Sequence, residues 1–343
     1  MHTAFDMGLP AATRSWPFGR VRVRAPARLH LGFLDPAGTL GRRFGSLGLV
    51  IDGPECVVDL GRGEADSFDS FAGGAAALAR ARDHVETLRR ATGCTAPVTL
   101  RLRSTLPAHA GLGSGTQLAL AVGRAFSTAF RLDLGSVELA ALLGRGARSG
   151  VGIAGFDHGG LLLDGGPRAD GAPAVLLARI AFPAAWRAIL VLDPRAQGLS
   201  AGLEKAALAR LAPLPRAAAA EICHEVLMRI LPGAAGAEFA PFAAGVSRMQ
   251  QVLGAHFAPA QDGRAFTSAA VGRLLQWIAA HAEAGIGQSS WGPAGFAFLP
   301  SEDRAQATLA AARAAGVVDP ALSSLVIRAR NHGALVADER AGG

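Results

Sequence analysis

Residues 106–118 read LPAHAGLGSGTQL and lie between an alternating strand pattern and an apolar helical stretch. Gly111, Gly113 and Gly115 allow the tight turns and close backbone approach that a bound ligand needs. The helix that follows turns its unpaired N–H groups and the positive end of its dipole toward whatever sits there, which makes an anion site. Ser114 and Thr116 add hydroxyls suited to phosphate oxygens or a magnesium ion. No lysine follows the glycines, so the segment is not a Walker loop, and it does not match a dinucleotide GxGxxG. A plain glycine turn capping a helix is the competing reading.

Periodicity organises the chain around this loop. Residues 20–31 (RVRVRAPARLHL) alternate as a half-buried strand does, and 47–60 (LGLVIDGPECVVDL) predict a strand pair broken at Gly53-Pro54. A helix is predicted over 74–91, a strand over 97–104 and a helix over 116–132, with Ser136 placed to N-cap another ending near Gly144. Strands are expected at 160–164, 174–181 and 187–192. Helices then dominate, at 200–211, 216–231, 238–256, 268–284 (capped by Ser268) and 302–315. A glycine-rich loop, a short GFAFL strand and a strand near 323–329 are interspersed. Strands first and helices later indicate an α+β fold of two domains, 20–190 and 191–343, after a loose tail at 1–19.

Composition narrows the function. The net charge of +7 rests almost wholly on arginine, Lys205 being the single lysine, and arginine's planar fork suits phosphate and carboxylate. The arginines are dispersed, aromatics make up 6% of residues and tyrosine is absent, so nucleic-acid binding is disfavoured against anionic small substrates. No uninterrupted apolar run suits a membrane span, and the first residues lack the features of an export signal. Three scattered cysteines fit a cytoplasmic enzyme without a disulfide framework or thiolate zinc site. The histidines show no HxxxH or HExxH pairing.

Pro107 to Gln117 resembles the phosphate loop of the GHMP kinase superfamily, with Gly115 where those kinases have a second serine. Residues 26–35 (PARLHLGFLD) resemble its N-terminal substrate segment, and residues 284–298 (AGIGQSSWGPAGFAF) its C-terminal glycine motif. The resemblance implies a ribosomal-S5-like N-terminal domain and a ferredoxin-like, helix-rich C-terminal domain. In residues 149–160 (SGVGIAGFDHGG), Gly152 occupies the register of the kinases' catalytic aspartate, and glycine cannot handle a proton. RLHLGFLD, GRRFGSLGL (41–49), GLGSGTQ, RSGVGIAGFDHGG and GIGQSSWGP together resemble one branch, the β-ribofuranosylaminobenzene 5′-phosphate synthases of methanopterin biosynthesis.

That resemblance implies joining of phosphoribosyl pyrophosphate to 4-aminobenzoate or 4-hydroxybenzoate, with loss of carbon dioxide and pyrophosphate. The loop from Gly111 to Thr116 is then the candidate pyrophosphate cradle with Mg²⁺, and Arg148 a further phosphate contact. Arg42 and Arg43, or else Gln288, Ser289 and Ser290, are candidates for the 5′-phosphate; the arginines could equally be solvated loop residues. His30 or Arg28 could hold the acceptor's carboxylate or amine, and Asp35 ribose hydroxyls or metal. Asp157 and His158 are candidate acid–base or metal contacts, although a turn aspartate bonding its own backbone is the plainer alternative. Trp291 could stack on the aromatic ring or sit in the core. The metal ligands stay open among Ser114, Thr116 and Asp157. Pyridoxal phosphate, thiamine and nicotinamide are not expected, and Lys205 lies in an ordinary helical run. A homodimer is the assembly to expect. The acidic pair and threonine-rich loop of ordinary phosphoribosyltransferases are absent, which places donor binding on the kinase-type loop. An ATP-dependent small-molecule kinase and an inactive ligand-binding scaffold are the rival functions.

Overall fold

The computed structural model describes residues 19–71, 74–168, 170, 172–196, 198 and 210–339. The expected tail before residue 19 and the helix at 200–211, with Lys205, fall outside them except for residues 210 and 211.

The alternating N-terminal segment forms β1 (Arg20–Asp35), whose pattern puts Val21, Val23 and Ala25 in the core. It pairs antiparallel with β2 (Phe44–Arg62). The seven-stranded sheet continues through β4 (Val98–Ser104) to β3 (Ser67–Ser70), while β5 (Leu161–Asp164) pairs with the first half of β2 and with β6 (Leu176–Ile180). The last strand, β11 (Leu335–Glu339), pairs with residues 20–24 at the outer edge of β1. Against this sheet lie α1 (Ala75–Thr92), α2 (Ser114–Ala129), α3 (Ser136–Leu142) and α4 (Val151–His158). The α2 helix buries Leu118, Val122, Ala125 and Phe126 at helical spacing, so the glycine-rich loop sits at the end of a firmly held element.

A second sheet, ordered β10-β7-β9-β8, comprises β7 (Arg187–Leu192), β8 (Gly285–Gln288), β9 (Ala294–Leu299) and β10 (Ser323–Ile327). Strand alternation gives it two apolar faces. Ala188, Leu190, Phe296 and Phe298 enter the main core with Phe242, whereas Ile189, Val191, Ala297 and Leu299 pack in a smaller core with Leu274 and Leu309. The main-core side is covered by α5 (Arg216–Glu225), a π-helical turn (Val226–Ile230), α6 (Leu231–Gly236) and α7 (Phe239–Phe257). The other side carries α8 (Ala269–His281) and α9 (Glu302–Ala314). The architecture is α+β, as the sequence implies.

Local expectations change in four places. The expected strand pair at 47–60 is one strand, kinked where Gly53 (φ 139°) and Pro54 interrupt it: β1 partners pass from Glu55 directly to Val50. Part of the expected glycine-rich loop is β8, a strand whose glycines carry no β propensity but let α7 approach; a Cβ on Gly287 would overlap Gln250. Ser136 does not cap α3. Gly135 is the cap residue, its N–H donating to the Glu138 carboxylate at 2.6 Å, and the Ser136 hydroxyl donates to Asp157 at 2.5 Å. The short strands β3 and β11 were not foreseen.

Candidate active site

Two irregularities in the β1–β2 register, between Pro26 and Arg28 and between His30 and Gly32, bracket Arg28–Leu29–His30. Bulges of this kind re-aim side chains. Leu29 and Leu31 stay in the core, while Arg28 and His30 turn to the glycine-rich loop and the C-terminal motif. The Arg28 guanidinium donates to the Gly111 carbonyl at 2.7 Å, and its stem lies 3.3 Å from where a Cβ on Gly113 would be. Ser289, fully buried, accepts from the His30 N–H at 2.9 Å and donates to the Gly111 carbonyl at 2.7 Å. One hydroxyl therefore ties β1, the loop and the C-terminal motif together. Gly111 (φ 87°) and Gly113 (φ 83°) take the left-handed backbone this requires.

Gly113 begins α2. Its carbonyl accepts from the N–H groups of Thr116 and Gln117, both at 3.0 Å, leaving the N–H groups of Ser114 and Gly115 at the helix end. Ser114, Gly115 and Thr116 are half-buried. Gly152 packs behind them: a Cβ there would stand 3.2 Å from the Thr116 methyl, and its carbonyl accepts from Gln117 at 2.9 Å. Asp164 holds this turn by accepting from the N–H groups of Gly150 (2.8 Å) and Val151 (3.2 Å).

Beside the loop, His30, Phe33, Phe257, Ser290 and Trp291 line a cavity with Gln250, Gln261 and Gln288. Trp291 is 4% exposed, its ring 4.5 Å from Phe257, and its indole N–H has no partner among the described residues. The glutamines bond one another and the backbone; Gln288 donates to Gln261 at 2.9 Å and accepts from the Thr267 N–H at 2.6 Å. They shape the wall. Both His30 ring nitrogens are buried without a partner among the described residues.

Burial, and then the charges of Arg28 and Arg148, hold the His30 pKa well below its usual 6.5. Burial with Arg145 and Arg80 lowers His84 to about 4. The unfolded chain takes up these two protons as pH falls through about 6.5, and the folded chain does not. Stability is full above that pH and declines toward pH 4. Denaturant melts between pH 7.5 and 5 should show the decline, at up to about 1.4 kcal/mol per pH unit for each histidine. His84→Phe should remove its share and leave that of His30; an unchanged slope would refute the assignment.

The structure separates the other expected residues. Asp157 and His158 end α4, exposed, in a separate cavity of about 380 Å³ with Asp164 and Arg168. Neither lines the cavity beside the loop. The Asp35 carboxylate, 2% exposed, is taken up by the N–H groups of Ala37 (3.2 Å), Gly38 (2.8 Å) and Leu40 (2.7 Å), so it holds a turn. Beyond that turn Arg42 is exposed. Arg43 donates to the Pro36 carbonyl at 3.1 Å and lies over Phe44, which leads through Phe33 to His30. Gln250, Phe257 and Gln261 were missed. On the sequence they are unremarkable residues in and just after an amphipathic helix, and only the fold brings them to the loop.

Family models match the chain as GHMP kinases N terminal domain over residues 77–160 and GHMP kinases C terminal over residues 238–318. The chain is 32% identical over 293 residues to the β-ribofuranosylphenol 5′-phosphate synthase of Archaeoglobus fulgidus, covering 82% of this chain and 88% of the relative. It is 29% identical to that of Methanothermobacter thermautotrophicus, covering 79% and 86%. Homoserine kinase from Cytophaga hutchinsonii superposes with a TM-score of 0.63 at 16% identity, over 96% of this chain and 100% of the kinase, a likeness of fold alone. No described helix is long and apolar enough to cross a membrane.

Proposed function

The chain belongs to the β-ribofuranosylphenol 5′-phosphate synthase family on the GHMP kinase fold, and from that membership we propose that it couples phosphoribosyl pyrophosphate to 4-hydroxybenzoate or 4-aminobenzoate with decarboxylation, in tetrahydromethanopterin biosynthesis. The observation that carries this reading is the glycine-rich helix entrance joined through Ser289 to an aromatic-lined cavity.

In the proposed reaction the carboxyl-bearing ring carbon of the acid bonds to the anomeric carbon of ribose as the bond to pyrophosphate breaks. The bonding pair leaves with pyrophosphate. The ring, positive after attack and supported by its para oxygen or nitrogen, expels carbon dioxide, and the electrons of that bond restore aromaticity. Carbon dioxide departs where a ring proton would otherwise have to be removed, so no general base is needed. A glycine at 152 fits that requirement, whereas a kinase needs a proton acceptor.

The residues divide the remaining work. The N–H groups of Ser114 and Gly115, aimed before the reaction starts, receive the negative charge that develops on the leaving group. The Arg28–Gly111 and Ser289–Gly111 bonds fix that aim. Phe33, Phe257 and Trp291 border a cavity of only about 30 Å³, which has to open to take the flat acid, and the neutral His30 offers its ring nitrogens as hydrogen-bond partners. Mg²⁺ prefers few protein oxygens together with substrate phosphates and water. The Ser114 and Thr116 hydroxyls fit that habit. The ion would neutralise charge on the diphosphate.

The test mixes protein, Mg²⁺, phosphoribosyl pyrophosphate and carboxyl-labelled acid. Labelled carbon dioxide that requires both substrates is expected, at a rate reduced at least tenfold by Ser114→Ala with Thr116→Ala. ADP formation from ATP without carbon dioxide, or unchanged turnover in the double variant, would overturn the reading.

A further inference from the structure

A second polar cluster lies on the other side of the α2 entrance from the aromatic cavity. Arg145, in the turn after α3, brings Nη1 to 3.3 Å from where a Cβ on Gly115 would stand. Arg80 and His84, one turn apart on α1, are its neighbours, and the charges of Arg80 and Arg145 both bear on His84. Burial is substantial: His84 is 8% exposed, and Nε of Arg80, Nε of Arg145 and Nε2 of His84 are buried with no hydrogen-bond partner among the described residues. Neither guanidinium makes an ion pair among those residues, although most other partly buried arginines here do: Arg22, Arg89, Arg187 and Arg330 each meet a carboxylate.

Two partly buried cations whose Nε atoms are enclosed without a counter-charge among the described residues are costly unless a ligand supplies it. The position identifies the ligand. In a displacement at the anomeric carbon the leaving group departs opposite the attacking atom. The aromatic cavity lies on the Gly111–Gly113 side of the loop, against Arg28 and His30, and the cluster lies on the Gly115 side. We propose that Arg80, His84 and Arg145 bind the outer phosphoryl group of the departing diphosphate. The α2 N–H groups take the inner one. This rests on the reading of the loop as the diphosphate cradle, and it leaves the sugar's 5′-phosphate to a different part of the site.

The experiment measures binding of inorganic pyrophosphate with Mg²⁺, and separately of ribose 5-phosphate, to the full chain and to Arg80→Gln, Arg145→Gln and Arg145→Lys. Pyrophosphate affinity should fall at least tenfold in each glutamine variant and less in the lysine variant, with ribose 5-phosphate affinity within twofold throughout. Without ligand the glutamine variants should melt at or above the wild-type temperature, because an uncompensated cation has been removed. Unchanged pyrophosphate affinity overturns the proposal, as does a loss confined to ribose 5-phosphate, or variants that melt well below wild type. Carbon dioxide release is followed in parallel. A wild-type protein that releases none, yet whose pyrophosphate affinity falls in the variants, sinks the synthase reading and keeps the polyphosphate site. Normal release with unchanged affinity does the reverse.

Discussion

Gly111→Ala is expected to lower kcat/KM for the phosphoribosyl donor by about 100-fold or more while leaving the protein folded. The backbone at Gly111 has φ 87°, and a Cβ there would overlap the Ser289 carbonyl oxygen, which is main chain and cannot rotate aside. The left-handed conformation alone costs a residue with a side chain about 1–2 kcal/mol. The larger effect is displacement. The Gly111 carbonyl is the point at which Arg28 and Ser289 converge, so moving it loosens the aim of the Ser114 and Gly115 N–H groups. A shift of about 1 Å in such a constellation is enough for a hundredfold loss. Turnover assays beside a thermal melt decide the matter. Activity within tenfold of wild type would show that the loop does not need this register.

Gly152→Asp should be nearly as damaging, and it should not create a kinase. The position faces Thr116, whose methyl group would meet the new Cβ at 3.2 Å, so the carboxylate must lie beside the start of α2. At about 4 Å from a diphosphate oxygen, in surroundings with an effective dielectric near 20, the repulsion is about 4 kcal/mol. Partial relaxation would leave a loss of about 100- to 1,000-fold in turnover, together with weaker pyrophosphate binding. Phosphoryl transfer from ATP to small alcohols should stay absent. Wild-type synthase activity in this variant would mean that the diphosphate does not pass position 152.

Much of the fold could be read from the sequence because apolar periodicity is strong where elements are long. The alternation of 20–31 and the apolar face of the helix after Gly113 both reach the structure with little change. Glycine hides structure. The run at 285–288 reads as loop because Gly285 and Gly287 lack side chains to betray a strand, yet that lack is what lets α7 pack against it. The phosphate loop was legible for the same reason in reverse, since helix-entrance glycines in a strand–loop–helix context carry meaning of their own. Asp35 and Asp157 show where residue type misleads. A carboxylate advertises chemistry, but the first is committed to the backbone of a turn and the second accepts from Ser136 at the far end of α4. Arg80, His84 and Arg145 are spread over 66 positions of chain, and no spacing rule could have joined them.

The closing strand β11 has a consequence for how this molecule can be made and divided. Its partner is the first strand, which also carries Arg28 and His30. During synthesis this edge of the large sheet therefore waits, uncovered, until β11 has left the ribosome. A fragment cut near residue 190, the boundary expected from the sequence, would keep that edge bare, and bare edges recruit other chains. The C-terminal part shares both this pairing and the main core with the N-terminal part, so the protein must be produced and handled as one piece.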